Sequence, residues 1–231
     1  MNMENNSFST AYPVIIFNLT NKKLSIPKEE YNYDILILDT DNQLKLHHIT
    51  KIAIILSDLE TNTQIEKVSR LISYLKENEI VPIVFSENNM PEIIRNTTLV
   101  INNASINDLK LFLKLLDLLV FKICLVCIDF NDVIEFLKSS TGEMILYKKE
   151  NIPLKKSLKQ IEKDLGQNNF EKSIILMEIG YNQPFQEADE IISDIYNKLN
   201  SESFLYQVCL DKNLKENQIN LYLVLINEQE R

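Results

Sequence analysis

Apolar runs of strand length, with no polar residue alternating inside them, recur along this chain with helical stretches between them. PVIIFNL (13–19), DILILD (34–39), KIAIILS (51–57), IVPIVFS (80–86) and TTLVI (97–101) read as strands. Runs of this kind belong to strands covered on both faces. Between the third and fourth run, Ile65, Val68, Leu71, Ile72 and Leu75 recur at helical spacing and predict a helix over 61–78. Strands alternating with helices imply α/β layering and a mainly parallel sheet in the first half.

Residues 105–121, SINDLKLFLKLLDLLVF, form a very apolar helix with a capping-box-like start at Ser105 and Asp108. Leucine and phenylalanine occupy nearly all its sides, the mark of a helix buried between layers. The pattern then restarts. KICLVCI (122–128) is extended, 132–140 a short helix, 142–149 a strand, and 153–165 an amphipathic helix with Pro153 in its first turn. A strand at 172–180 and a helix at 184–199 follow. The last strands, 203–210 and 218–226, are joined by the polar stretch DKNLKEN and are expected to pair as a hairpin. This predicts two α/β units, 1–104 and 122–231, joined by the helix 105–121; 231 residues suffice for them.

The net charge of −9 disfavours nucleic acid and anionic lipid as partners, since both carry phosphates of the same sign. The polar start MNMENNSFST carries an acid and reads as no signal peptide. The longest apolar stretch, Leu115 to Ile128, is interrupted by Asp117 and Lys122 and is too short to span a bilayer. Cys124, Cys127 and Cys209 lie inside apolar runs and read as reduced, buried small hydrophobes of a cytoplasmic protein. Cys124 and Cys127 spell CxxC. On an extended segment, however, positions i and i+3 face opposite ways and no second pair exists, so no metal site is expected. His47 and His48 are adjacent, which leaves no arrangement for nucleophilic catalysis.

Glycine is scarce, with only Gly142, Gly166 and Gly180. Phosphate-binding loops need glycines because their backbone approaches the phosphate closely, often at positive φ. No GxGxxG or GxxxxGK[ST] can be written in this sequence. No nucleotide cofactor is therefore expected.

The order of elements, with an acidic segment after the long helix, resembles the tubulin/FtsZ superfamily, and bacterial FtsZ most. Cys127-Ile128-Asp129-Phe130-Asn131-Asp132-Val133 resembles the family's acidic loop N-L-D-F-A-D-V. KSIILMEIGYNQPFQEADEIIS and SFLYQVCLDKNLKENQINLYLVLI resemble its later strand–turn–helix and final strands, and DILILDTDNQL a strand and turn of its first half. The resemblance implies a truncated FtsZ/tubulin-like architecture: a parallel-sheet first half, a long central helix and a mixed-sheet second half.

The chain departs from the family in its phosphate loops. FNLTNKKLSIP stands where the first glycine-rich loop should follow the first strand, and SDLETNTQIEK where GGGTGTG should precede the helix. Arg231 follows directly on the last strand, where the family has a linker and a partner-binding peptide. In the family, acids matching Asp129 and Asp132 reach the nucleotide of the neighbouring subunit and orient the attacking water. The resemblance thus marks the loop residues Asp129, Phe130, Asn131 and Asp132 as interaction candidates. Read without it, D-F-N-D at a helix start is a capping box. Asp39, Thr40 and Asp41 end a strand, where α/β folds bind ligands, and otherwise read as a polar turn. Glu187, Asp189, Glu190 and Asp194 read as a solvated helix face. The expectation is a non-catalytic FtsZ-like protein that caps or tunes an FtsZ-type polymer. The alternatives are a self-associating structural protein without nucleotide control and a residual GTPase.

Overall fold

A computed structural model describes residues 14–27, 31–38, 50–165 and 169–227. Asp39, Thr40, Asp41, His47, His48 and Gly166 lie outside the described residues. Ten strands form one mixed sheet in the order β2-β1-β3-β4-β5-β7-β10-β8-β9-β6. The first half supplies β1 (Val14–Asn18), β2 (Ile35–Leu38), β3 (Ile52–Leu56), β4 (Val81–Phe85) and β5 (Leu99–Ile101), all parallel. The second half supplies β6 (Cys124–Val126), β7 (Gly142–Pro153), β8 (Lys172–Ile179), β9 (Ser203–Leu210) and β10 (Gln218–Asn227). The halves meet where β5 pairs parallel with the start of β7, Leu99 opposite Gly142. Gly142 sits at φ 98°, a conformation that only glycine adopts without strain. The other left-handed positions include Asn103, Asn151, Asn200 and Asn217, so asparagine does much of the work glycine usually does in turns.

Side chains alternate across the pleat and build one core on each face. On one face lie α3 (Ile106–Phe121) and α4 (Phe130–Lys138). Their Leu109, Phe112, Leu116, Val133 and Leu137 pack on Ile16 and Ile54 of the parallel half and on Ile174 and Val224 of the mixed half. The opposite face carries α1 (Asn62–Glu77) and α2 (Glu92–Arg95) over the parallel half, and α5 (Ser157–Leu165) and α6 (Phe185–Leu199) over the mixed half. The outer side of α3 is covered as well: Tyr33 Oη donates to the Leu113 carbonyl (2.8 Å), and Asn32 N and Nδ2 both donate to Asp117 Oδ1 (2.9 Å each). That cover accounts for a helix apolar on nearly every side.

Three expectations are corrected. The last two strands form no hairpin. β10 is buried from Ile219 to Ile226 and takes an antiparallel neighbour on each edge, β7 and β8. β9 lies beyond β8, parallel to it. The 211–217 connection wraps the end of β8, where Asp211 N donates to the Ile179 carbonyl (2.9 Å). A Cβ at Gly180 would stand 3.2 Å from the Leu214 carbonyl oxygen there. Pro153 closes β7 instead of opening a helix, and a 3-10 turn, Leu154–Lys156, precedes α5. The stretch after Met90, read as a loop, carries α2.

Candidate functional site

The acidic loop leaves the sheet edge at β6 and enters α4. Asp129 is the N-cap, and its carboxylate accepts the Asn131 N–H at 2.7 Å. Val133, Ile134 and Leu137 anchor the helix in the core, and Phe130 packs half-buried against it. Asn131 and Asp132 are exposed. No reciprocal bond runs from Asp132 to the Asp129 backbone, unlike the paired bonds of the caps on α1 and α3. The two acids therefore differ: Asp129 is engaged in its cap, while the Asp132 carboxylate has no hydrogen-bond partner among the described residues.

The loop is held from behind by Gln207 of β9, 1% exposed. Its Oε1 accepts the Ile128 N–H (3.2 Å), and its Nε2 donates to the Leu118 carbonyl (2.8 Å) and contacts Cys124 Sγ (2.9 Å). One side chain thus joins the last turns of α3, the edge strand and the acidic loop. Sequence reasoning missed it, because a glutamine inside SFLYQVCL carries no signal until its neighbours in space are known. The cysteines are also not uniformly buried: Cys209 is buried, Cys124 half-buried and Cys127 exposed, because the short edge strand covers only one of its faces.

At the other end of α3, the carboxyl ends of β1, β3 and β4 open into a cleft of about 580 Å³. Crevices at this edge of a parallel sheet are where α/β folds take ligands, and the volume is in the usual range. Its lining draws on FNLTNKKLSIP and SDLETNTQIEK, the two stretches that stand where the resemblance puts phosphate loops, joined by residues 85–87 and 104–109. Its floor is apolar, with Leu56, Phe85 and Leu109, and Lys22, Lys23, Asp58 and Glu87 line its rim. Lys22 pairs with Glu87. The turn after β1 is held by side chains: Asn18 accepts from the Thr20 hydroxyl (2.7 Å) and donates to the Lys22 carbonyl (2.9 Å).

Both helix N-termini near the cleft are capped by their own residues. Gln64 Oε1 accepts from the N–H groups of Glu60 (2.8 Å) and Thr61 (3.0 Å), and the Thr61 hydroxyl accepts from Gln64 N (3.2 Å). Ser105 and Asp108 close α3 the same way, with Ser105 N donating to Asp108 Oδ2 at 2.8 Å. Leu59, in the turn before α1, is left-handed at φ 52°. The chain thus makes there, with leucine, a turn that usually falls to glycine.

A third polar region lies between α3 and the mixed half. Glu178 is buried, pairs with Lys122 (3.0 Å), and accepts from Asn220 Nδ2 (2.8 Å) and Tyr222 Oη (3.1 Å). Tyr222 Oη also lies 3.0 Å from Glu150 Oε1, which Lys114 holds at 2.9 Å. Every charge in it has a partner, so it reads as a satisfied internal network.

No family model matches the sequence, and no curated protein matches it. Solved structures do match the fold. An FtsZ dimer from M. jannaschii superposes at a TM-score of 0.52 with 14% identity, over 78% of this chain and 64% of the other. GDP-form protofilaments of TubZ from Bacillus thuringiensis serovar israelensis superpose at 0.58 with 11% identity, over 79% and 62%. A TubZ of type III plasmid segregation gives 0.56 with 10% identity, over 79% and 65%. The fold is that of the tubulin/FtsZ superfamily, and the chain spans less than two-thirds of the length of these proteins. No helix among the described residues is long and apolar enough to cross a membrane.

Proposed function

We propose that this chain is an assembly protein of FtsZ-like fold that works by protein–protein contact and neither binds nor hydrolyses GTP. The observation that carries this reading is the capped start of α1. A helix N-terminus offers N–H groups to phosphate; here the Thr61 hydroxyl takes that of Gln64, and the Gln64 side chain takes those of Glu60 and Thr61 in the turn before the helix. Asp58 and Glu87 line the same cleft and offset the charge of Lys22 and Lys23.

The acidic loop remains as the contact surface. It stands at one end of α3 and the cleft at the other, about 24 Å apart for a helix of 16 residues. In a head-to-tail contact the unpaired Asp132 of one subunit meets the cleft of the next. Where that next subunit is a nucleotide-bearing FtsZ-type protein, this chain ends or tunes the polymer, because a head-to-tail contact propagates only if both faces work. Self-association is the second reading. It is favoured by the rim lysine Lys23, which could receive Asp132 of another copy, and by the protofilament form of the TubZ neighbour.

Light scattering and phosphate release from an FtsZ-type protein of the same cell, with and without this chain, test the first reading. The expected result is an altered polymer yield that Asp132→Asn weakens, with no heat of GTP binding to this chain in calorimetric titration. Micromolar GTP affinity would overturn the nucleotide part. An effect unchanged by Asp132→Asn would overturn the loop as the contact.

A further inference from the structure

Behind the acidic loop, two thiols face each other across the sheet edge. Cys124 of β6 and Cys209 of β9 are register partners in an antiparallel pair. Leu210 N donates to the Ile123 carbonyl at 3.0 Å, so 123 and 210 form the hydrogen-bonded pair. Cys124 and Cys209 therefore take the closer, non-hydrogen-bonded position, with Cα atoms about 4.5 Å apart in regular antiparallel geometry. That spacing lies within the range a disulfide spans. Their Sγ atoms approach to 2.9 Å. Gln207 Nε2 lies 2.9 Å from one sulfur and 3.3 Å from the other, and fixes both side chains on the same face. Cys127, exposed, lies three residues on, with its Sγ 3.8 Å from the Cys124 carbonyl oxygen.

We propose that Cys124 and Cys209 are a reversible oxidative modification site, closed to a disulfide by a hydroperoxide and reopened by a small thiol. The Cys124 sulfur, the more accessible of the two, attacks the terminal peroxide oxygen and loses its proton. The O–O bond breaks, the attacked oxygen stays on Cys124 as the sulfenic acid, and the other oxygen of hydrogen peroxide leaves with the thiol proton as water. The Cys209 sulfur then displaces the sulfenic oxygen, which departs with the Cys209 proton as a second water. Two thiols are oxidised by two electrons, and one peroxide is reduced. Burial holds both thiols above their ordinary pKa, so they react slowly and persist as thiols under mild conditions.

The consequence falls on the edge strand. β6 has three residues and an irregular register, and Leu125 within it and Ile123 just before it are exposed. It is therefore held weakly. A Cys124–Cys209 bond ties it covalently to β9, directly before the acidic loop. This inference does not depend on what the loop binds.

The full chain is treated with hydrogen peroxide, its remaining thiols are labelled with maleimide, and the digest is read by mass spectrometry. The expected product is a cross-linked pair of peptides lacking two hydrogen atoms, joined through Cys124 and Cys209, with maleimide on Cys127. Dithiothreitol removes the link, and Cys127→Ser retains it. Hydrogen exchange across 122–128 slows at least several-fold in the oxidised protein. Labelling of both Cys124 and Cys209 while Cys127 is oxidised would overturn the proposal, as would a cross-link that runs through Cys127.

Discussion

The side-chain oxygen of Gln207 accepts the backbone N–H of Ile128 at 3.2 Å, and its amide group reaches back to the Leu118 carbonyl at 2.8 Å. Both backbone groups depend on this one buried residue. Replacing it with leucine keeps the volume and orphans them, at a cost of about 1–3 kcal/mol for each group that water cannot reach. Gln207→Leu is expected to lower the urea midpoint and to speed hydrogen exchange in 124–132 more than elsewhere. Uniformly raised exchange would show that the residue supports the whole sheet and not the loop.

Asp129 and Asp132 separate by substitution. Asp129→Ala removes the cap of α4 and is expected to cost about 1 kcal/mol, read from denaturant unfolding. Asp132→Asn touches no hydrogen bond and leaves only a weakened helix-dipole interaction, a few tenths of a kcal/mol. Equal destabilisation by the two would mean that Asp132 also serves the cap.

Much of this fold was legible because burial and periodicity report the same thing. Ile52–Leu56 and Val81–Phe85 are apolar without alternation because helices cover both faces of the sheet there. The α3 cap was legible from Ser105 and Asp108, a local chemistry three residues long. The partners of β10 were not. A strand buried on both faces looks the same whichever neighbour it takes, and the adjacent strand in sequence was the wrong one. The acidic loop could be placed from its resemblance to the family's segment, but the division of labour between its acids could not, since that turns on which carboxylate meets a backbone N–H. The role of Gln207 was illegible because its partners, Leu118, Cys124 and Ile128, lie far from it in sequence.

Stability in acid has an identifiable source in Glu150. Burial alone would raise its pKa, but hydrogen bonds from Lys114, Lys148 and Tyr222 outweigh that and hold it from 4.5 down to about 2. A carboxylate with a depressed folded value contributes stability that is fully present above its unfolded pKa and is lost as pH falls through the folded one. The window therefore runs from about pH 4.5 down to about pH 2. Asp164, lowered from 3.8 to about 2 by hydrogen bonds from Lys149 and Gln160, acts in the lower part of that window. Glu150→Gln is expected to flatten, without abolishing, the fall of the urea midpoint across it. An unchanged slope would assign the acid sensitivity to other groups.

Phe112 tests how far α3 binds the sheet together. It is 2% exposed and meets Phe85 of β4 edge-on at 5.9 Å. Phe112→Ala is expected to cost about 3–5 kcal/mol, the range for a buried aromatic truncated to alanine. The measurement is chemical unfolding followed by two probes, one in each half. Coincident transitions at a lower midpoint are expected, because α3 and its core span both halves of the sheet. Separated transitions would show that the parallel half unfolds alone.

The Lys122–Glu178 pair gives the sharpest energetic test. Glu178 keeps Asn220 as a neutral donor and shares the Tyr222 hydroxyl with Glu150, and its one cation among the described residues is Lys122, which stands just beyond the end of α3. Lys122→Met leaves a carboxylate, 4% exposed, with no opposite charge beside it. Breaking a buried pair from one side costs about 3–5 kcal/mol, and the partial exposure of Lys122 places the expectation at the lower end. Adding Glu178→Gln removes the stranded charge while its side-chain oxygen still accepts from Asn220 and Tyr222. The double variant is therefore expected to be more stable than Lys122→Met alone. A double-mutant cycle on urea midpoints reads the coupling directly. If the two losses simply add, water already compensates Glu178, and the ion pair contributes nothing to holding the end of α3 against β8.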